Sequence, residues 1–167
     1  MRKYALIFLN IILAMGVLAG CSRNLQGTDE LIEKAREEIP IAEADTMEIQ
    51  YAGLCGKEDL ALIWFISGNE YQAHYYLPME CTVVGPDEYK HVRTYKPMDR
   101  GADIAVLQWE NGYCFLINNP ECKTIRITTQ EVTEDIVIEK GAYPYLYYHD
   151  FVPEEYLFLD EEGNEIG

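Results

Sequence analysis

The sequence predicts a mainly β protein, an antiparallel β-sandwich or alternatively a small β-barrel, preceded by one α-helix. Two observations carry this prediction. Apolar residues recur at helical spacing between residues 29 and 40, whereas from Thr46 onward they alternate with polar residues or form short runs bounded by turn residues. No helical segment separates the later strands, so an α/β architecture is not expected. We therefore assign residues 29–40 to an N-terminal helix and residues 46–167 to a single β-rich domain.

The first twenty residues have the layout of a secretory signal peptide. Two cations, Arg2 and Lys3, precede an apolar run from Ala5 to Val17, and small residues follow the run. As a permanent membrane span this run is marginal, because small residues dilute it and a spanning helix needs about 20 mostly apolar residues. We therefore predict that residues 1–20 are removed as a signal peptide; the alternative is an uncleaved anchor.

A cysteine directly follows this segment. The four residues Leu18-Ala19-Gly20-Cys21 resemble the lipobox of bacterial lipoproteins. The resemblance implies cleavage after Gly20 and a diacylglyceryl group on the Cys21 thiol. It also implies that the protein lies outside the cytoplasmic membrane and is held to the lipid bilayer through acylated Cys21. Two or more acyl chains hold a protein stably, whereas a single chain is marginal.

Residues 21–28 are predicted to form a lipidated tether, and the helix follows directly. Thr28 can cap this helix, the acids Asp29 and Glu30 suit its positive amino end, and Pro40 ends it. The apolar face of the helix consists of Leu31, Ile32, Ala35 and Ile39.

Two hairpins are predicted within the β-rich domain. The first joins residues 60–67, which are apolar on both faces and so form a central strand, to residues 70–77 through a turn at Gly68-Asn69. The second turns at Asn111-Gly112, because both residues can adopt a positive φ. Pro78 is expected to kink the chain. The other predicted strands are 46–52, 80–84, 89–95, 102–109, 113–117, 123–128, 135–139, 145–148 and 156–159.

The closing segment "YLFLDEEGNEIG", residues 156–167, resembles the last strand and polar turn of bacterial immunoglobulin-like surface modules. The resemblance covers these residues alone and implies no functional site. Within the segment, "DEEGNE" lacks the ligand spacing of a calcium-binding loop, so we interpret it as a solvated turn.

The part of the chain after Gly20 is strongly acidic. The sequence has 13 Lys and Arg against 29 Asp and Glu, and two of the cations lie in the predicted signal peptide, so the exported part has a net charge of about −18. This charge excludes nucleic acid as a partner and opposes contact with anionic lipid head groups. It is compatible with attraction of a basic partner or of cations.

Four cysteines, Cys55, Cys81, Cys114 and Cys122, remain after Cys21. An even number in an exported chain permits two disulfides, and we predict a possible pair between Cys114 and Cys122, which flank the turn "NNPE". The alternative is buried free thiols, which pack as small hydrophobic residues. None of the spacings is typical of a metal site, so no metal ligand is assigned.

The sequence has none of the common catalytic motifs, and we assign no catalytic residue and no cofactor. The histidines His74, His91 and His149 are explained by their strand positions, and a zinc site made from all three is a minor alternative. Glu110 and Asp150 are carboxylates near aromatic residues. A close pair of carboxylates could hydrolyse a glycoside, but a chain so rich in acids contains such pairs by chance.

Tyrosine is in excess, with 13 residues, and is dense in "YPYLYYHDF", residues 143–151. We favour a structural interpretation, because tyrosine suits half-buried strands; the alternative is a face that recognises sugars or peptides. Tyr147 and Tyr148 are neighbours on a predicted strand and point to opposite faces. We therefore expect at least one of them to be exposed.

Three functions remain. The favoured hypothesis is a non-enzymatic lipoprotein whose β-domain binds an envelope protein, peptide or glycan. The second is an envelope hydrolase that uses carboxylates. The third is the solute-capture component of a transporter, which is the weakest because such proteins usually have two lobes and a longer chain.

Overall fold

The computed structural model describes residues 23–39, 46–68, 75–99 and 102–166. The predicted signal peptide, Cys21 and His74 lie outside these ranges. Among the described residues every strand pairing is antiparallel and one helix precedes all strands except a two-residue strand, so the predicted mainly β fold with an N-terminal helix is confirmed. In chain order the elements are β1 (Leu25–Gln26), α1 (Gly27–Glu38), β2 (Ile49–Lys57), β3 (Leu60–Ser67), β4 (Tyr75–Gly85), β5 (Glu88–Thr94), β6 (Met98–Asp99), β7 (Ile104–Trp109), β8 (Gly112–Ile117), β9 (Thr124–Thr128), β10 (Thr133–Val137), β11 (Tyr145–His149) and β12 (Glu155–Leu159).

In the described part of the chain these strands form three sheets. Sheet A has the order β1-β5-β4-β3-β2, with β6 paired to β4; sheet B has the order β11-β8-β7, and sheet C has the order β10-β9-β12. Helix α1 packs on sheet A through Leu31 and Ala35, and sheet B lies between sheets A and C. The fold is therefore a stack of four layers with α1 at one end and sheet C at the other.

Strands β3 and β8 are apolar on both faces because each belongs to a layer that is covered on both sides. In β3, Phe65 faces α1 whereas Trp64 faces sheet B. In β8, Cys114 faces sheet A whereas Phe115 faces sheet C. The central position predicted for residues 60–67 is confirmed. The third sheet goes beyond the two facing sheets of a sandwich.

Tyr147 and Tyr148 of β11 show the effect of this extra layer. They point to opposite faces, as predicted, but Tyr147 packs toward sheet C and Tyr148 toward sheet A. Both are half-buried. The expectation that one of them is exposed is wrong, because sheet C covers the face that a two-layer sandwich would leave in solvent.

The hairpin between β7 and β8 is present, but its turn uses other residues than predicted. Trp109 pairs with Gly112, so the turn is Glu110-Asn111, and it is Glu110 that adopts a positive φ of 51°. Gly112 serves a different purpose. A Cβ atom at this position would lie 1.8 Å from the carbonyl oxygen of His149, so only glycine lets β11 approach β8 so closely.

Pro78 does not interrupt β4, which continues from Tyr75 to Gly85 and pairs with β3 opposite Trp64. The carbonyl of Pro78 accepts a hydrogen bond of 2.9 Å from the Tyr95 amide. Its nitrogen therefore points to the same side, toward the break between β5 and β6, where the missing N–H removes no ladder bond.

The chain enters the fold earlier than predicted. Strand β1 pairs with β5, and α1 begins at Gly27, so Thr28 lies inside the first turn and does not cap it. The amide of Gln26 donates instead to the Glu30 carboxylate at 2.8 Å. Residues 25–28 of the predicted tether are thus part of the folded body.

Candidate functional site

A buried carboxylate lies between sheets A and B. Glu80 is on β4, where side chains alternate: Leu77 and Met79 face α1, whereas Tyr76 and Glu80 face sheet B. Its exposed fraction is 4%. A charge so deeply buried is costly unless other groups donate hydrogen bonds to it.

Three side chains satisfy this requirement. Arg93 donates through Nε at 3.1 Å and Nη2 at 2.8 Å, Tyr95 donates its hydroxyl at 2.7 Å, and Trp109 donates its indole N–H at 2.9 Å, all to Glu80 Oε2. We call these four residues the Glu80 cluster. Because they come from β4, β5, the segment after β5, and β7, the cluster joins sheet A to sheet B.

The hydrogen bonds decide the charge state of Glu80. Burial alone would raise the pKa of its carboxyl group, but the hydrogen bonds from Arg93, Tyr95 and Trp109 and the positive charge of Arg93 outweigh burial, so the pKa lies below the usual 4.5. Burial and the bond to Glu80 raise the pKa of Tyr95. Glu80 is therefore ionised at neutral pH and poorly suited to donate a proton in catalysis.

The Glu80 cluster continues outward into a charged and aromatic rim. The Trp109 ring contacts Tyr148 edge-to-face, with ring centroids 5.3 Å apart. Lys57 Nζ lies 5.9 Å from the centre of the Tyr148 ring and 3.2 Å from Asp150 Oδ1. The pKa of Tyr148 lies above its usual value, mainly because the hydroxyl is buried. The charges of Asp150 and Glu110 raise this pKa further, and Lys57 lowers it. The structure thus brings both carboxylates singled out in the sequence into electrostatic range of one tyrosine.

Beyond Tyr148 the chain forms an exposed apolar corner at the end of sheet C. Phe151 is 70% exposed, and its ring contacts His149 edge-to-face, with centroids 6.2 Å apart. Val152 and Val132 are also exposed, and they lie at the same end of the sheet because the segments that carry them flank Thr128 of β9. We call Val132, Phe151 and Val152 the Phe151 tip.

The two histidines within the described ranges, His91 and His149, lie in different parts of the fold. His91 of β5 lies near α1, where burial lowers its pKa and its Nε2 is 2.9 Å from Thr94 Oγ1. His149 lies between sheets B and C, with Nδ1 3.5 Å from Glu134 Oε1. Across the described ranges no group of three or more His, Cys, Asp or Glu side chains could hold a metal ion.

A cavity of about 370 Å³ lies beside α1. Its charged walls are paired internally, with Arg23 2.5 Å from Glu30 and Lys34 3.4 Å from Glu37. These pairs are partly exposed and therefore weak. The lining residues are Arg23, Leu25, Glu30, Glu33, Lys34, Glu37 and His91.

The structure does not bring Cys114 and Cys122 together. Cys114 faces sheet A, and its Sγ lies 2.7 Å from Sγ of Cys55. Cys122 belongs to the cluster between sheets B and C, and its thiol points to the Thr124 carbonyl at 3.7 Å. The predicted pairing does not fit this geometry, because sheet B lies between the two side chains. All four of these cysteines are buried, and no sulfur–sulfur bond joins any two of them in this structure.

The sequence reasoning missed Glu80. Its signal was an acid inside the apolar run of residues 75–84, at a position that shares a face with Tyr76. An acid in such a place requires donors, and the nearby sequence offers Arg93 and Tyr95, but only the fold brings Trp109 to it.

Comparisons with protein-family models, with curated proteins and with solved structures find no match. Within the described ranges, no helix has the length and apolar character needed to span a membrane.

Proposed function

We propose that this protein is a bacterial lipoprotein, anchored outside the cytoplasmic membrane through Cys21, that binds an envelope protein or peptide at the Phe151 tip without catalysing a reaction. The anchoring part is supported by the sequence Leu18-Ala19-Gly20-Cys21. The binding part is supported by one observation above all, the exposure of the Phe151 ring.

An exposed phenylalanine ring forgoes the favourable free energy of burying its apolar surface, so a partner that covers the ring gains that free energy on binding. Val152 follows Phe151 in the chain and is exposed, and exposed Val132 lies at the same end of sheet C, so a partner could bury apolar surface of all three. Aromatic side chains are enriched in such positions at protein interfaces.

The charges around the Phe151 tip indicate the chemistry of the partner. The flanking segments are rich in acids, and the nearby cation Lys57 already pairs with Asp150. A partner segment that offers an apolar side chain next to Lys or Arg would match this surface and would associate faster because of the attraction. The acids concerned are Glu131, Glu134, Asp150, Glu154 and Glu155.

The corner is also held in place before binding. His149 contacts Glu134 on one side of it, and the partly exposed Lys57–Asp150 pair adds a weak contact with sheet A on the other side. Contact with Trp109 places Tyr148, and Trp109 is itself fixed by Glu80. A surface ordered in advance loses less conformational entropy on binding.

Photocrosslinking in intact cells tests the binding site. Val137 is a matched control, because it is also 70% exposed and lies on β10 of the same sheet. A photoreactive amino acid at position 151 is expected to give a discrete protein adduct, and one at position 137 is not. No adduct at 151, equal adducts at both positions, or an adduct removed by glycan digestion would contradict the proposal.

Replacement of the anchor cysteine tests the location. The C21S variant is expected to lose incorporation of an alkyne-labelled fatty acid and to leave the membrane fraction or retain its signal peptide. The neighbouring variant S22A is the control and should label as the wild type does. Lipid labelling of C21S at the wild-type level would contradict lipidation at Cys21.

A second candidate function is an envelope hydrolase that uses Glu110 and Asp150, two carboxylates whose negative charges both act on Tyr148. It predicts that E110Q and D150N each abolish the turnover of a cell-wall glycan by the purified protein. Absence of turnover by the wild-type protein would leave the binding function as the supported one.

A further inference from the structure

We propose that Cys55 and Cys114 form a disulfide pair that fastens sheet A to sheet B. The two residues are 59 positions apart in the sequence, and neither their spacing nor any motif predicts that they meet. The assignment of the pair rests on geometry alone. Its presence in cells additionally rests on the proposed location outside the cytoplasm, where disulfides persist.

The positions of the two sulfur atoms carry this proposal. Cys55 lies on β2 and Cys114 on β8, both side chains are buried, and their Sγ atoms are 2.7 Å apart. A disulfide bond is about 2.05 Å long and needs Cβ atoms that already point toward each other. Since the two sulfur atoms face each other across the two sheets, a small adjustment of the side chains brings them to bonding distance.

The backbone near Cys55 is shaped for close approach of the sheets. Strand β2 has a bulge between Tyr51 and Gly53, and Gly53 adopts a φ of 136°. A Cβ atom on Gly53 would lie 2.7 Å from Cδ1 of Leu146 on β11. Leu146 therefore packs directly against the backbone of β2, which places sheets A and B in contact two residues from Cys55.

A neighbouring donor fixes the second sulfur atom. The indole N–H of Trp64 donates to Sγ of Cys114 at 3.2 Å, and Trp64 is fully buried. This contact holds the Cys114 side chain toward sheet A, on the side where Cys55 lies.

The other two cysteines of the described chain are not competitors. Cys81 packs between sheet A and α1, and Cys122 packs between sheets B and C. Each lies on the opposite side of a sheet from the Cys55–Cys114 contact. A different pairing would require the strands to move.

Bond formation needs an oxidant, which we take to be a disulfide of a thiol–disulfide oxidoreductase or of a small molecule. The thiolate of Cys55 attacks one sulfur of that disulfide, forms a mixed disulfide and releases one oxidant thiolate. The thiolate of Cys114 then attacks the Cys55 sulfur and releases the second. Two electrons pass to the oxidant, and the two thiol protons go to the released thiolates.

Because both thiols are buried in the folded protein, we expect the bond to form before sheets A and B pack together. Burial and the neighbouring Cys55 raise the pKa of the Cys114 thiol, so little thiolate forms there in the folded protein. We therefore expect oxidation during folding and slow reduction afterwards.

Peptide mapping tests the pair directly. The full-length protein is denatured in an alkylating agent, digested without reductant and analysed by mass spectrometry. One sample is isolated from cells, and a second is refolded with oxidised and reduced glutathione. We expect a linked Cys55–Cys114 peptide, two hydrogens lighter than the two separate peptides, together with alkylated Cys81 and Cys122.

Each outcome is decisive. A Cys114–Cys122 link, or alkylation of all four cysteines in the refolded sample, would overturn the pair. A link in both samples supports both the pair and the location. A link in the refolded sample alone supports the pair and counts against an oxidising location, so the two proposals can fail separately.

Thermal unfolding provides a second test. The oxidised wild type is expected to unfold on the order of 10 °C above the sample treated with reductant, since a bridge across a long loop restricts the unfolded chain. C55A and C114A should lose this sensitivity to reductant, and the control C81A should keep it. Equal midpoints of oxidised and reduced wild type would contradict a bond between the sheets.

Discussion

Sheet B has two interfaces, and they are stabilised by different interactions. Toward sheet A, polar side-chain atoms pair across the interface: Trp109 with Glu80, Tyr76 with Asp103 at 2.7 Å, and Trp64 with Cys114. Toward sheet C, Phe115 is surrounded by the rings of Tyr113, Tyr147, Tyr156 and Phe158, with ring centroids 5.3 to 6.4 Å apart. The polar contact between His149 and Glu134 lies beside the Phe151 tip.

The difference shows two ways in which the faces of one sheet can be stabilised by their neighbours. An aromatic interface depends on volume and area, so it loses stability in proportion to the atoms removed. The stability of a polar interface depends on whether every buried polar group has a partner, because one missing partner leaves another buried group without a hydrogen bond. The A/B interface should therefore be sensitive to changes of a single atom, and the B/C interface to changes of size.

The largest effect is expected in the aromatic interface. Phe115→Ala removes a fully buried ring and should lower the free energy of unfolding by about 3–5 kcal/mol, measured by urea denaturation. Phe151→Ala is the matched control at an exposed ring and should change it by less than about 0.5 kcal/mol. Equal losses at the two positions would contradict the placement of Phe115 in the core.

A change of a few atoms tests the polar interface. Glu80→Gln keeps the size of the side chain but removes the charge that accepts from Arg93 and Tyr95. It should cost about 1.5–3 kcal/mol of unfolding free energy. Arg93→Gln should cost less, at most about 1 kcal/mol. The Arg93 side chain is 56% exposed, so water can take its place beside Glu80. A larger loss for Arg93→Gln than for Glu80→Gln would contradict this view of the interface.

The pH dependence of stability in the wild type and in Glu80→Gln tests the same polar interface. Because the folded-state pKa of Glu80 lies below its usual 4.5, the stability from its charge is complete above pH 4.5 and is lost as the pH falls through the folded-state value. The difference between wild type and Glu80→Gln should therefore be constant near neutral pH and shrink below pH 4.5. Denaturation series from pH 7 to pH 3 measure it; a difference that grows on acidification would contradict the assignment.

The smallest effects separate two tyrosines at the A/B interface. Tyr95→Phe removes a hydroxyl that donates to Glu80 and should cost about 1 kcal/mol. The Tyr148 hydroxyl is buried and makes no hydrogen bond to a described residue, so Tyr148→Phe should be neutral or slightly stabilising. A cost for Tyr148→Phe equal to that for Tyr95→Phe would contradict this distinction.

The elements followed from the sequence because their patterns are local. Periodicity predicted a helix at 29–40 and a central strand at 60–67, and α1 at Gly27–Glu38 and β3 match them closely. The turn before β8 was predicted at Asn111-Gly112 but lies at Glu110-Asn111, because Gly112 is required for the close approach of His149 from a distant strand.

The candidate site could be predicted only in part. The tyrosine-rich segment 143–151 drew attention to the strand that leads to the Phe151 tip, but the Glu80 cluster joins residues from four segments. Alternation shows which face a residue occupies and not which sheet covers that face. This is why Cys114 was paired with Cys122, close in sequence, when its neighbour in space is Cys55.

Strand β1 limits how far the protein can reach. It pairs with β5 from Leu25 onward, so if Cys21 carries lipid, only residues 22–24 remain between the lipid and the edge of sheet A. Three residues extend over about 10 Å. Under the proposed anchoring, a domain held so closely would stay near the membrane surface, and a binding partner would have to lie on the same membrane or extend down to it.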